Sequence, residues 1–155
     1  MSHPINHSSL GKKRAFQTNH QGWAWLSLSL VLALHVTDEA LTDFLSVYNP
    51  TVQAIRARLP FVPLPTFTFE VWLAGLILAV ILLLLATPAA FHGARWVRLL
   101  AFPFALLMFG NGLLHIIGSF YLGRLMPGVY TAPLLLAASA YLWWAINQID
   151  QNKRI

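Results

Sequence analysis

One ten-residue stretch organises the whole chain: Leu34-His35-Val36-Thr37-Asp38-Glu39-Ala40-Leu41-Thr42-Asp43. It follows an apolar run, from Trp23 to Leu34, that contains no charged residue. A histidine and three of the chain's five carboxylates therefore directly follow a segment suited to crossing a membrane. Ionisable side chains at membrane depth are costly unless they are paired, hydrated or bound to metal. The stretch predicts a functional site on the first helix.

Helical spacing places these polar residues close to one face. At 100° per residue, Asp38 and Glu39 lie about 60° and 40° to either side of His35, one turn further along. Asp43 falls about 80° round, at the edge of the same face. The pattern therefore favours one cluster of interacting side chains over four independent polar positions.

The composition indicates an all-α integral membrane protein. The sequence is 57% hydrophobic and 10% charged, whereas a soluble domain carries about 25% charged residues. The absence of cysteine excludes disulfides, thiolate metal ligands and a cysteine nucleophile. The net charge of +5 comes from residues outside the apolar runs, with no basic helix interleaved with aromatics. It therefore indicates membrane topology, with no nucleic-acid partner.

The apolar runs predict a bundle of four transmembrane helices over residues 22–47, 67–86, 97–121 and 130–146. Asn49-Pro50 is expected to end the first helix and Thr87-Pro88 the second. Residues 51–66 predict a short amphipathic turn and an extended loop, and residues 123–128 a turn. The predicted domains are a disordered cytoplasmic tail (1–21), a transmembrane domain (22–149) and a second cytoplasmic tail (150–155).

Basic residues predict the orientation. Four spans put both termini on one side, which would carry seven basic residues against three on the other. By the positive-inside rule, both termini are cytoplasmic. The expected location is a multi-pass position in the plasma membrane, or in the inner membrane of a bacterium. The seven are Lys12, Lys13, Arg14, Arg95, Arg98, Lys153 and Arg154, and the three are Arg56, Arg58 and Arg124.

Helix rise places several polar side chains in one layer of the outer half. Counting ~1.5 Å per residue from Trp23, His35 lies ~18 Å in and Glu39 ~24 Å. Counting from Val97 on the third helix, Asn111 lies ~21 Å in and His115 ~27 Å. Glu70, in the first turn of the second helix, is expected near the same level.

Each of these residues also has a purely structural interpretation. His35 could be a core histidine bonded to a backbone carbonyl, and Asn111 could link two helices through its amide. Asp43 and Glu70 could lie at the membrane interface. The agreement in depth nevertheless favours one shared polar site, with Asn111, Glu70 and Asp43 as its accessory polar residues.

Two histidines and a carboxylate predict metal chemistry. Such a set matches catalytic zinc or non-haem iron sites, in which an open position holds water. We expect His35, His115 and Glu39 to bind the divalent metal, with Asp38 as the other candidate carboxylate ligand. Whichever carboxylate is left over would be the general base, so both are candidate catalytic residues. The two imidazoles should then lie within about 8 Å of one another.

Three short motifs resemble the HXXEE family of small membrane proteins. His35-Val36-Thr37-Asp38-Glu39 resembles its signature, with Asp38 in place of the first glutamate. Asn111-x-x-x-His115 is similar to its second histidine motif. Leu125-Met126-Pro127-Gly128, followed by Thr131-Ala132, is similar to its Tyr-x-Pro-Gly turn, with Leu125 in place of tyrosine. The resemblance covers residues 30 to 132. The family has no established activity, so the resemblance supports the site and leaves the reaction open.

Three functions are compatible with these residues. The first is a metal-dependent membrane enzyme acting on a lipid or other apolar small molecule, with Pro127-Gly128 as a rigid turn over the site. The second is a small transporter, or a protein that binds protons or cations, using the same carboxylates. The third is a structural membrane subunit whose polar groups lock its helices together. Four spans enclose little volume, so transport would require a homo-oligomer.

Overall fold

The computed structural model describes the backbone of residues 7–151 and the side chains of residues 19–148. Within that part of the chain the protein is all-helical, which confirms the predicted class. The tail predictions for residues 1–6 and 152–155 lie outside the described residues. The helices are α1 (His7–Leu41), α2 (Leu45–Arg58), α3 (Phe69–Leu85), α4 (Thr87–Phe91), α5 (Arg95–Leu122) and α6 (Ala132–Gln151).

Three helical segments are long and apolar enough to cross a membrane: Asn19–Leu41, Phe69–Phe91 and Arg95–Leu122. They correspond to the first three predicted spans. In the most apolar 18-residue stretch of Phe69–Phe91, only 11% of the residues are buried within the protein. The fourth predicted span is helical, as α6, and its crossing of a membrane stays a prediction.

The first helix begins earlier than the sequence predicts. The backbone of α1 is helical from His7, ahead of the start expected at Gly22. No proline stands between the two positions, so nothing in the chain forces an interruption. Gln21, in the predicted tail, is buried.

The prediction that the first helix continues to Val47 is wrong, because α1 ends at Leu41. Asp43 adopts the left-handed conformation, with φ of 57°. The backbone N–H of Phe44 donates to the carbonyl of Glu39 at 3.0 Å, as in a Schellman cap. Aspartate tolerates this conformation better than most residues, so it takes the position that glycine usually fills.

Asn49-Pro50 does not end a helix either, because both residues lie inside α2. Asn49 instead ties α2 to the segment before α3. Its amide donates to the carbonyl of Phe67 at 2.9 Å, and its side-chain oxygen accepts from the Phe67 N–H at 3.1 Å. The extended loop predicted before the second span is present between α2 and α3.

Helix α6 packs against both α1 and α5, while α1 also packs against α3 and α4. The indole N–H of Trp25 donates to the carbonyl of Leu83 at 2.9 Å, which joins α1 to α3. The helices α1 and α5 meet over a short stretch. The apolar core includes Trp25, Leu28, Leu32, Val97, Ala101, Ala105, Leu135, Leu142 and Ile146.

The turn predicted at residues 123–128 is confirmed. Gly123 ends α5 in the left-handed conformation, with φ of 61°, and the Arg124 N–H donates to the Ser119 carbonyl at 3.2 Å. The chain then reverses into α6. As a result, the beginning of α6 lies beside the carboxyl-terminal ends of α1 and α5.

Candidate metal centre

Three buried side chains converge at this end of the bundle. The Glu39 Oε1 atom lies 3.0 Å from His115 Nε2 and 3.6 Å from His35 Nε2. The exposed fractions of His35, Glu39 and His115 are 0%, 5% and 2%. One nitrogen or oxygen from each residue lies within 4.8 Å of the other two, a spacing that allows a shared metal ion.

Helix geometry accounts for the convergence. His35 and Glu39 are four residues apart on α1, so they share a face, and His115 approaches that face from α5. The two imidazole rings are 4.8 Å apart, centroid to centroid, and nearly perpendicular at 81°. The prediction that the rings lie within about 8 Å is therefore confirmed.

The surroundings of His115 decide which of its two ring nitrogens carries the proton. His115 Nδ1 lies 2.5 Å from the carbonyl oxygen of Pro127. A carbonyl can only accept a hydrogen bond, so Nδ1 carries the proton and donates it. In the neutral ring, Nε2 then has a lone pair, which is the form that binds metals.

The Ser119 hydroxyl and the backbone conformation at Gly128 hold the Pro127 carbonyl in place. The Ser119 hydroxyl donates to the His115 carbonyl at 2.8 Å and accepts from the Met126 N–H at 2.9 Å. Gly128 follows with φ of 82°. A β-carbon at Gly128 would lie 2.8 Å from Cε1 of His115 and 3.0 Å from Cγ of Glu39. The expected rigid turn over the site is therefore present, and it requires glycine.

Asp38 lies on the other side of His35, away from the three candidate metal ligands. Its Oδ2 atom accepts from the Thr131 hydroxyl at 2.9 Å and from the Thr131 N–H at 3.0 Å. The same hydroxyl lies 2.8 Å from His35 Nδ1. Asp38 is thus bound to the beginning of α6, and of the two candidate carboxylates Glu39 joins the histidines.

Asn111 and an aromatic pair complete the surroundings. The Asn111 amide lies 3.3 Å from His35 Nε2 and can donate to it. The Phe44 ring lies 5.6 Å from the His115 ring and 5.8 Å from the indole of Trp72. The Phe44 ring therefore lies beside His115 and is itself in contact with Trp72.

The structure does not bring Asp43 and Glu70 into this group. Both side chains are exposed, whereas the three converging residues are buried. Asp43 lies in the cap that follows α1, and its backbone carbonyl accepts from the Ser46 hydroxyl at 2.8 Å. Glu70 lies in the first turn of α3, where a carboxylate is favoured by the helix dipole.

The two separations between Glu39 and the histidines are compatible with a tetrahedral ion. Two ligands bound at ~2.0–2.1 Å in a tetrahedral site lie about 3.3 Å apart. The distances from Glu39 Oε1 to the two histidine nitrogens, 3.0 and 3.6 Å, fall on either side of that value. Two imidazoles and one carboxylate form the ligand set of several catalytic zinc sites, with the fourth position open.

Sequence reasoning missed two elements of the site. Thr131 had entered only as part of a motif, although a hydroxyl just after a turn is a common partner for buried polar groups. The Pro127 carbonyl gives no sequence signal of its own, because every residue has a carbonyl.

Residues 25–142 match a family described as a protein of unknown function with an HXXEE motif. The chain belongs to the HXXEE family. In this HXXEE protein, the last motif glutamate is Glu39, at the candidate metal centre, and Asp38 takes the position before it. No curated protein and no solved structure matches the chain.

Proposed function

We propose that this HXXEE protein is a metal-dependent membrane enzyme that acts on a lipid or another apolar molecule. In the proposal, His35, Glu39 and His115 bind zinc or ferrous iron. Four helices cross the bilayer with both termini in the cytoplasm, which places the site in the outer half. The largely exposed apolar surface of Phe69–Phe91 supports contact with lipid.

The observation that carries the proposal is the 3.0 Å approach of Glu39 Oε1 to His115 Nε2. Because the His115 proton is donated to the Pro127 carbonyl from Nδ1, the neutral ring offers Glu39 only a lone pair. A carboxylate oxygen and a lone pair repel each other at this distance unless a cation lies between them. The pair therefore requires a proton or a metal ion.

A metal ion explains more of the geometry than a proton does. A proton would satisfy Glu39 and His115 alone, whereas His35 Nε2 approaches the same oxygen at 3.6 Å. All three residues are buried, which strengthens the binding of a cation by anionic and neutral ligands. Imidazole and carboxylate donors suit zinc and ferrous iron.

The surroundings support hydrolysis or a related reaction with a metal-bound water. Zinc with three protein ligands lowers the pKa of its bound water to about 7. Asp38 is bound to Thr131 and is therefore not placed to act as the general base, which a metal-bound water with a lowered pKa does not require. Asn111 lies next to His35, where its amide can donate to a bound water or to a substrate oxygen.

A second function is favoured by one further observation. Polar groups follow one another from His115 through Glu39, His35 and Thr131 to Asp38, each link at hydrogen-bond distance except the 3.6 Å between Glu39 and His35. Such a chain could bind and transfer a proton with no metal, as in the small transporter or proton-binding protein considered above. Metal analysis separates the two functions.

The test is the metal content of the purified protein after washing with a chelator. We expect about one zinc or iron per chain in the wild type, and loss of the metal in His115→Ala and Glu39→Gln. His92→Ala is the matched control, because His92 is exposed and bonded to the Pro88 carbonyl. A wild type without metal in zinc- and iron-supplemented cells would contradict the enzyme and leave proton binding.

Orientation has its own test. Single cysteines at Ser8 and Asn152 should be protected from a membrane-impermeant thiol reagent in intact cells, and one at Thr51 should react. The expectation follows from the seven-to-three distribution of basic residues. Labelling at both termini would reverse the orientation and place the site in the inner half.

A further inference from the structure

We infer that Thr131 and Asp38 are positioning residues that keep the proton of His35 on Nδ1, so that Nε2 faces the metal centre with a lone pair. His115 receives this constraint from a backbone carbonyl. The Nδ1 atom of His35 faces a hydroxyl, which can donate or accept. On the other edge of the ring, the Asn111 amide lies 3.3 Å from Nε2 and can donate to its lone pair. The direction of the hydroxyl hydrogen bond therefore decides whether both edges of the ring favour the same tautomer.

Asp38 decides it. The Thr131 hydroxyl has one proton and lies 2.9 Å from Asp38 Oδ2, against 3.3 Å from the carbonyl of Gly128. An ionised carboxylate accepts only, and it is the stronger and closer acceptor. The hydroxyl proton therefore points to Asp38, and the oxygen lone pair is left to accept from His35 Nδ1.

The position of Asp38 also explains how its charge is tolerated. Its Oδ2 atom accepts a second hydrogen bond from the Thr131 N–H at 3.0 Å. Thr131 directly precedes α6, so the carboxylate lies at the amino terminus of that helix. Free backbone N–H groups and the helix dipole both stabilise an anion there. These contacts hold the Asp38 carboxylate at the helix terminus, away from the candidate metal ligands.

The two imidazoles are therefore fixed by different devices. The Pro127 carbonyl fixes His115 whatever the charge of neighbouring groups, whereas His35 depends on the hydroxyl of Thr131, just before α6, and on a carboxylate from α1. Removing the hydroxyl leaves Nδ1 without its acceptor, so the proton should shift to Nε2, which faces the Glu39 carboxylate with Oε1 3.6 Å away. That ring could no longer bind a metal through Nε2.

The tautomer can be measured directly by ¹⁵N NMR of histidine-labelled protein in detergent, after chelator treatment. Signals are assigned by their loss in His35→Ala and His115→Ala. We expect Nδ1–H for His35 in the wild type and in Thr131→Ser, and a shift toward Nε2–H in Thr131→Val. His115 should keep Nδ1–H in all three proteins, which reports within the same spectrum that the fold is retained.

Either of two results would overturn the inference. One is an Nε2–H tautomer for His35 in the wild type, a result that needs no variant and so does not depend on whether Thr131→Val folds. The other is an unchanged His35 tautomer in a Thr131→Val protein whose His115 signal is intact. Both readouts use metal-free protein, so they stand even if the proposed metal-dependent function fails.

A second measurement rests on the proposed function. Competition with a chromogenic zinc chelator should show zinc affinity about 10–100-fold weaker in Thr131→Val than in the wild type, with recovery in Thr131→Ser. Equal affinities in the wild type and Thr131→Val would contradict a positioning role. Absence of zinc binding in the wild type would count against the proposed function instead, while the tautomer result decides the inference.

Discussion

The two halves of the buried stripe on α1 are built differently. Trp25, Leu28 and Leu32 follow one another at helical spacing, and the same spacing continues to His35 and Glu39. All five are buried, with exposed fractions of 6% or less. The stripe changes from apolar to polar without leaving its face of the helix.

The difference separates stability from chemistry. The apolar half belongs to the continuous core, where burial and dispersion stabilise the fold without directional constraints. The polar half is tolerated only because each group has a partner on α5, on α6 or in the turn between them. Of the buried side-chain polar atoms on the described part of the chain, only Gln21 Nε2 lacks a hydrogen-bond partner.

The largest expected loss of stability comes from the apolar half. Leu28→Ala should lower the free energy of unfolding by about 2–5 kcal/mol, because Leu28 is fully buried and a cavity would remain. Thermal unfolding in detergent measures this change. Protein that stays folded should keep the proposed metal, since Leu28 lies two helical turns from His35.

Leu82→Ala is the matched control, because 57% of Leu82 is exposed. It should lower the melting temperature much less than Leu28→Ala. Two results together would contradict the separation of the two halves. Folded Leu28→Ala would lose the metal, and Glu39→Gln would lose as much stability as Leu28→Ala.

An intermediate effect is expected at Gly128, where the backbone meets the polar half. Gly128→Ala should cost about 1–3 kcal/mol from its positive φ and should also displace His115 or Glu39. Metal content and thermal unfolding should both fall. Gly123→Ala shares the positive φ but has nothing within 4 Å of its β-carbon, so it should lower stability and leave the metal in place. Equal metal loss in both variants would show that backbone strain, and not crowding of the site, is responsible.

The smallest effect is expected at Asp43. Asp43→Gly should stabilise the protein by less than about 1 kcal/mol, because glycine adopts the left-handed conformation without strain. Metal content should be unchanged, since the Asp43 side chain is exposed. Loss of metal in Asp43→Gly would show that Asp43 contributes to the site, which would contradict its exclusion on the basis of exposure.

Much of the fold could be predicted from apolar runs, because long uncharged segments have few other structures open to them. The end of α1 could not. Neither glycine nor proline marks Leu41, and the helix stops there through a backbone cap formed by Asp43 and Phe44. The nearby Asn49-Pro50 looked like a stronger stop signal, yet it lies inside α2.

Helical spacing and estimated depth were enough to predict which residues of the site lie together. These placed His35, Glu39 and His115 in one layer, and the structure brings the three together. Periodicity also put Asp38 and Glu39 on opposite sides of His35, but it could not say which neighbour each side faces. The packing decides this: Glu39 meets α5 and Asp38 meets the start of α6.

Glu39 acts in two places at once. Its side chain lies between the two histidines, and its backbone carbonyl accepts the hydrogen bond that closes the last turn of α1. Opening that turn would therefore displace the carboxylate while leaving the packing around Trp25 intact. By reciprocity, a cation bound by Glu39 should hold the turn closed and slow hydrogen exchange of the Phe44 amide. Release of a bound ion would then require only local opening of the last turn of α1, and the rest of the helical bundle could stay folded.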